Sequence, residues 1–539
     1  MNFMIVLFCS FLVIALLALS ALNKTKISLP PGPGRWPVIG SVFHMPKHYA
    51  WSTFSRWKEL YGNIIYLNVV GTPIIVINSS SIARDLLDKR SSIYSDRPHL
   101  VSDLFLLECT VTNQINEPFD NYYDSEKVMA CELAGLDQAF PLKQYGEAWR
   151  AQRRLVSQHL SPSAIPRYYT TQQNEAKKFV LRILGLEGKG NRTWASEALK
   201  KEIELGIAAT IFSVTYGYQL TSADDTFLKQ AIRMMDDFSR TTEPGAWIVD
   251  TIPQLKYIPS WVPGSGFLKT ARDVRSNYED VIKSLFKWTK ENLDSGNASP
   301  SICSTALSAK GTYVTRILEE QLSFAAFSVL GGGLDTNISV LMSFVLAMVL
   351  HPNIQKQAQA EIDDVVGMER LPGLDDKARL PFVRSLITEV MRFYPAVPLG
   401  LPHCLQQDDV YNDMYLPKKS IILTNVWYML HDPEVFDKPD VFNPYRYRGL
   451  ESEMQKVADI TFGFGRRVCP GRYFAENSIF SMVTTLLATC DIMSPLDLSG
   501  KPYEQKVGLM GSGTIVFPGP FECIIKPRSE CLHRLDHEH

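Results

Sequence analysis

The sequence predicts a mainly α-helical chain with a small β-rich subdomain near its N-terminus, preceded by one transmembrane helix. Three stretches carry that reading. A helical pattern runs from about Thr315 to Leu350 and stops before Pro352, some 36 residues or roughly 54 Å, enough to cross a whole domain. Beside it stands a hairpin pattern, Ile64 to Val70 and Pro73 to Asn78, joined at Gly71-Thr72. At the N-terminus, Phe3 to Leu22 is an uncharged run whose helix would be roughly 30 Å long, matching the hydrocarbon core of a bilayer.

Lys24 and Lys26 follow that run, so the positive-inside bias puts the remaining chain in the cytosol. A cleaved signal peptide is the competing reading, but the run is long and no basic residue precedes it. Residues 23–40 hold Pro30-Pro31-Gly32-Pro33-Gly34, a stiff connector that cannot be helical. From 41 to 527 no long polar or low-complexity stretch divides the chain, which predicts one large domain, with 528–539 as a polar tail. With 45% apolar and 21% charged residues and a formal charge of −2, the chain has an ordinary core and no footprint for nucleic acid. The nine cysteines are odd in number and lack C-x-x-C pairs, which fits a reducing compartment; the N-x-S/T triplets at Asn23, Asn78, Asn191, Asn297 and Asn337 are then chance matches.

Further elements follow in order. Ser81 to Arg90 reads as a short helix, and Trp149 and Arg153 fall on one face of another. Pro244 to Gly266, rich in Pro, Gly and aromatics, is a long loop between helical stretches. The long helix carries Gly331-Gly332-Gly333 in its middle. Each costs about 1 kcal/mol relative to alanine, so a ligand packed against the helix must require the missing side chains. Asp335 and Thr336 stand beside this opening. Glu389 and Arg392 share a helix face, and Phe442 to Tyr447 supplies Arg446. Pro395 to His403 should run extended. Finally Phe462-Gly463-Phe464-Gly465-Arg466-Arg467-Val468-Cys469-Pro470-Gly471 delivers one cysteine to the start of an apolar helix running from about Arg472 to Leu487. The helix N-terminus favours its thiolate, a metal ligand. Gly465 and Gly471 allow close approach of a flat ligand, and Arg467 can reach an anionic group on it.

The pattern F-x-x-G-x-R-x-C-x-G, matched at Phe462, Gly465, Arg467, Cys469 and Gly471, resembles the haem-ligand loop of the cytochrome P450 family. Four further motifs of that family occur in order: W-x-x-x-R at Trp149 and Arg153, (A/G)-G-x-(D/E)-T at Gly332, Gly333, Asp335 and Thr336, E-x-x-R at Glu389 and Arg392, and F-x-P-x-R-(F/Y) around Arg446. The resemblance covers Pro30 to about Pro527 and is strongest to fungal microsomal enzymes of secondary metabolism.

It implies the P450 fold and a haem b (iron protoporphyrin IX) whose metal ligand is Cys469, with Trp149, Arg153, Arg467 and His403 toward its propionates. Asp335 and Thr336 become a proton relay, and Glu389, Arg392 and Arg446 a buried brace for the cysteine loop. Asn337 and Tyr445 depart from the family pattern, which commonly has a hydroxyl and an acidic residue there. The loop at 244–266 becomes a lid, and Gly511-Ser512-Gly513 a turn closing the pocket. The implied activity is oxidation of a hydrophobic small molecule with dioxygen. Because no flavin or dinucleotide motif is present, electrons come from an NADPH-cytochrome P450 reductase at the endoplasmic reticulum membrane, where the chain is single-pass and its catalytic domain cytosolic.

Two other readings stay open. A haem-thiolate isomerase, dehydratase or peroxygenase uses Cys469 without a reductase, but the retained acid–alcohol pair weighs against it. A non-catalytic haem- or sterol-binding membrane protein would not consume NADPH. One segment also stands apart: 101–127 separates Asp96-Arg97-Pro98 from Val128 to Gly135, which fungal members of the family join almost directly. It is either a surface flap or a retained intron, since the insertion keeps the reading frame and its ends can encode splice signals.

Overall fold

A computed structural model describes residues 28–98, 128–185, 192–242, 246–309, 316–510 and 514–535, apart from isolated positions within them. The anchor at Phe3–Leu22, the interval 101–127 and the turn at Gly511-Ser512-Gly513 lie outside the described residues.

Seven strands make the two principal sheets: β1 (Ile64–Val69), β2 (Thr72–Ile77), β3 (Arg192–Ala195), β4 (His403–Cys404), β5 (Ile421–Thr424), β6 (Cys490–Met493) and β7 (Glu522–Pro527). The first sheet has the order β1-β2-β5-β4, with β2 and β5 parallel and the other pairs antiparallel. The second has β7 between β3 and β6. The hairpin turn falls one residue earlier than the sequence suggests. Val69 pairs with Thr72, and Val70 and Gly71 both take positive φ, 49° and 88°. This is the two-residue primed turn whose twist matches the strands.

The helices that frame the site are α1 (Ala50–Tyr61), α2 (Glu147–Leu160), α3 (Tyr169–Leu184), α4 (Ser196–Tyr216), α5 (Thr226–Thr242), α6 (Gly266–Asp294), α7 (Arg316–Leu350), α8 (Pro352–Val366), α9 (Pro381–Phe393), α10 (Glu451–Thr461) and α11 (Arg472–Thr489). The predicted helix at 81–90 is present in two parts, an α turn at Ser80–Ala83 and a π-helical segment at Arg84–Lys89.

α7 continues through its three glycines without a break and packs against α2, α4, α5, α6, α9 and α11. Every residue from Asn337 to Val349 is buried, because the helix has no solvent face to keep polar. Among the described residues it alone is long and apolar enough to cross a membrane, and 78% of its most apolar window is buried inside the protein. It is the core helix of the domain.

The C-terminal stretch is not a free tail over its described part. Residues Ser529–Leu535 form a 3-10 segment, and Arg534 is fully buried, donating to Asp363 at 3.0 Å and to the Gly367 carbonyl at 2.6 Å. Polar composition suggested a tail; the arginines are polar because they clamp α8.

Candidate functional site

α10 ends at Thr461, and the chain reverses through Gly463 (φ 83°) and Gly465 (φ 62°) before α11 begins at Arg472. Positive φ alone favours glycine at both positions. Gly465 has a second reason: a Cβ there would overlap the Leu87 carbonyl, and its amide donates to the Asp88 carboxylate. Its glycine therefore serves the packing of the loop on the 84–89 segment rather than a ligand. The Cys469 amide donates to the Phe462 carbonyl at 2.8 Å, which closes the loop.

The Cys469 sulfur is left open on a cavity although protein surrounds that cavity. Burial pushes its thiol pKa up, against the Gly471 amide, Arg153 and Arg472, which pull it down. The helix terminus alone does not make it a thiolate; a bound metal would. A Cβ at Gly471 would sit 3.9 Å from the sulfur, an ordinary contact.

The cavity, about 330 Å³, is lined chiefly by apolar side chains and has α7 as its far wall. That volume falls within the range of small-molecule sites and is too large for a packing defect. Gly332 has nothing within 4 Å of where a Cβ would stand. Gly333 is pressed against Ile211 of α4 at 3.0 Å, so its missing side chain is required by helix packing as well. Thr336 lines the cavity and donates its hydroxyl to the Gly332 carbonyl at 2.8 Å, which leaves the oxygen lone pairs free to accept.

Asp335 does not line the cavity. It is half-buried, with its carboxyl pushed up to about 7 by burial, opposed by Lys200 and reinforced by Asp236 and Glu204 of α5 and α4. It thus holds or releases a proton near neutrality, one residue from Thr336 but on another side of the helix.

A set of cationic and donor groups lies along the same cavity. Trp149 is buried and its indole N–H has no acceptor; Arg153, one turn on, has no hydrogen bond or ion pair among the described residues, and burial lowers its pKa. Arg467 donates to the carbonyls of Ser95, Phe140 and Lys143, and its guanidinium stacks 4.6 Å from the Trp149 ring. His403 bonds the Tyr94 carbonyl through Nδ1 at 2.8 Å. Burial, with Arg97 and Arg467 nearby, brings its pKa down to about 3, so the ring is neutral and Nε2 becomes a donor only when an anion induces it to take a proton.

Among the described residues no three His, Cys, Asp or Glu side chains stand together to hold a metal. A metal at Cys469 must therefore bring most of its ligands with it. The family model for cytochrome P450 matches residues 110–515. The chain is 46% identical over 508 residues to cytochrome P450 monooxygenase 105 of Postia placenta, covering 94% of this chain and 90% of that protein. It is 45% identical over 513 residues to monooxygenase 226 of the same fungus, covering 95% and 90%. To cytochrome P450 monooxygenase claR of Ampulloclitocybe clavipes it is 34% identical over 527 residues, covering 97% and 91%. The chain belongs to the cytochrome P450 family.

The residues present fit the haem-thiolate cofactor of a cytochrome P450. The open sulfur of Cys469 would supply the iron's protein ligand. The buried indole N–H of Trp149 costs stability unless an acceptor arrives, and the half-buried guanidinium of Arg153 lines the same cavity. Arg97 was not singled out from the sequence. It lines the same cavity, 4% exposed, and holds the Pro141, Leu401 and Pro402 carbonyls that frame it. The one sequence signal was its place in Asp96-Arg97-Pro98, where an arginine ahead of a proline reads as an ordinary surface cation.

Behind the loop, Glu389 is fully buried and accepts from Arg392 (2.8 and 2.9 Å) and Arg446 (3.2 Å). Two further donors complete the carboxylate: the Tyr447 hydroxyl at 2.9 Å and the Asn443 amide at 2.8 Å. Tyr447 fills the aromatic slot of the F-x-P-x-R-(F/Y) frame and acts there through its hydroxyl. Tyr445, in the commonly acidic position, packs on Phe382 instead, its centroid 5.0 Å away.

Proposed function

We propose that this cytochrome P450 is a monooxygenase anchored by residues 1–22 in the endoplasmic reticulum membrane, single-pass with its catalytic domain cytosolic. It oxidises a hydrophobic small molecule of secondary metabolism with electrons from NADPH, delivered by a membrane-bound reductase. The observation that carries the reading is the arrangement of one cavity: the Cys469 sulfur opens into it, α7 bares Gly332 and Thr336 on the far wall, and the lining is otherwise chiefly apolar. The hydrophobic effect draws an uncharged substrate into such a space and keeps bulk water out.

Haem b bound on Cys469 supplies the dioxygen chemistry, its iron made electron-rich by the thiolate. The chain's own residues do the rest. Trp149 and Arg153 give donors to the propionates, with Arg467 and His403 holding the walls beside them. Thr336 presents acceptor lone pairs to the cavity, and Asp335, titrating near 7, passes protons in from the side of α4 and α5. The Glu389–Arg392–Arg446 brace fixes the loop that carries Cys469. Residues 101–127 are an insertion ahead of Val128, either a flap over the substrate or a retained intron; transcript sequencing across the Leu100 and Val128 codons decides between the two.

The test is turnover of the full-length holoprotein with NADPH and a microsomal reductase on a panel of apolar compounds under ¹⁸O₂. One labelled oxygen atom per product molecule is expected. Product formed without the label, and without NADPH, would replace this reading with a haem-thiolate isomerase or dehydratase.

A further inference from the structure

Most polar groups on the distal part of the cavity are already satisfied by the protein. Thr336 donates to the Gly332 carbonyl, Ser328 donates to the Phe324 carbonyl at 2.7 Å, and Thr514 is paired with Thr242 at 3.2 Å. Two groups on that wall are exceptions among the described residues: the Asn337 Oδ1 of α7, which can only accept, and the hydroxyl of Tyr278 on α6, which can donate. The Tyr278 side chain is 2% exposed to solvent and lines the cavity, yet its hydroxyl proton has no acceptor among the described residues. The nearest candidates do not claim its proton. The Ala139 amide is a donor to the hydroxyl oxygen and cannot accept its proton, and Asp137 is felt electrostatically but not hydrogen-bonded.

A buried phenol whose proton has no acceptor is disfavoured, whereas a phenylalanine of the same shape is not. The ring is already held by its edge-to-face contact with Phe327, centroids 4.6 Å apart, so packing does not require the hydroxyl.

We infer that the Tyr278 hydroxyl is a specificity-determining donor for an acceptor oxygen on the substrate, so that the enzyme takes apolar, uncharged molecules that already carry a carbonyl, ether or hydroxyl oxygen. This deepens the monooxygenase reading and rests on it. Position adds a length. Phe327, against which Tyr278 packs, lies about two and a half turns of α7 before Thr336, roughly 13 Å along the helix axis. The substrate's oxygen is therefore held far from the Cys469 end, and the carbon presented for oxidation lies near the opposite end of the molecule. It follows that an earlier reaction must install the first oxygen, by oxidation of a hydrocarbon or by assembly from oxygenated units, and that this enzyme acts downstream of it.

The experiment compares dodecan-2-one with n-dodecane on full-length holoprotein, wild type and Tyr278→Phe, reading binding from the haem absorbance change without reductase. The ketone accepts a hydrogen bond and the alkane does not. In Tyr278→Phe the ketone should lose about tenfold in affinity while the alkane holds or gains, and the variant should melt no lower than wild type, since a buried hydroxyl whose proton has no acceptor has been removed. With reductase present, wild type should oxidise the ketone toward its far end and the variant should spread the positions. An equal change for both probes, an unchanged ketone affinity, or a variant that melts lower with ketone preference intact would make the hydroxyl a packing or water-holding group and overturn the inference. Binding and turnover are read separately. Ketone discrimination without turnover therefore faults the monooxygenase reading alone, and turnover without discrimination faults this one alone.

Discussion

At the scale of single residues the site is defined by groups that the protein leaves incomplete. Trp149 buries an indole N–H with no acceptor, so it pays a desolvation penalty that only a ligand can relieve. Trp149→Phe should weaken haem retention by about 1–3 kcal/mol, read as faster haem loss to a scavenger. Unchanged loss would mean that the indole faces no propionate. Asp335 makes a pH prediction. Its carboxyl titrates near 7 when folded and near 3.8 when exposed, so the folded state holds the extra proton between those values. Its contribution to stability is full below about pH 4, is lost as pH rises toward 7, and is flat above. Asp335→Asn should therefore melt higher than wild type at pH 8 and equally at pH 4, by no more than about 4 kcal/mol. A difference independent of pH would place Asp335 in solvent. The motif spacing in the sequence pointed to Trp149 and Asp335. It did not show that Asp335 turns away from the cavity or that His403 is neutral, because both follow from neighbours on other elements: Lys200, Glu204 and Asp236 for one, Arg97 and Arg467 for the other.

At the scale of elements, periodicity and punctuation were legible and docking was not. α7 was readable because its apolar pattern runs unbroken to the proline at 352, and α11 because an apolar run follows Gly471. The hairpin turn falls one residue before its Gly71-Thr72 signal, since a β-branched Val70 at φ 49° runs against local preference and is imposed by strand pairing. Residues 528–539 read as tail because Arg528 and Arg534 look solvated, and only Asp363 on α8 shows why they are not. Two features bearing on the cysteine loop can be removed separately. Gly465→Ala forces a side chain into the Leu87 carbonyl at positive φ, and should cost more than about 1–2 kcal/mol and lower the yield of holoprotein. Glu389→Ala or Arg392→Ala strands a charge inside the brace, at about 3–5 kcal/mol, and should abolish folded holoprotein. Normal holoprotein from either brace variant would show that the cluster is dispensable to the loop.

At the scale of the whole molecule, the long glycine-bearing helix and the loop at the start of α11 face each other across one cavity, with a neutralising set of donors at its edge. The fold was legible as a whole because five short motifs occur in order, three carrying residues that line the cavity and two meeting in the Glu389 cluster. The substrate was not, because the rest of the cavity lining comes from α5, α6 and the loops, where Met234, Phe238 and Tyr278 are ordinary core residues until the cavity puts them together. The central claim is that the Cys469 thiolate is the iron's protein ligand. The most direct test is the absorption spectrum of the reduced, carbon-monoxide-bound holoprotein. Wild type should show the strongly red-shifted Soret band of thiolate ligation, and Cys469→Ser should lose it, since a serine oxygen donates far less electron density. Persistence of that band in Cys469→Ser would contradict the account and move the ligand to another cysteine.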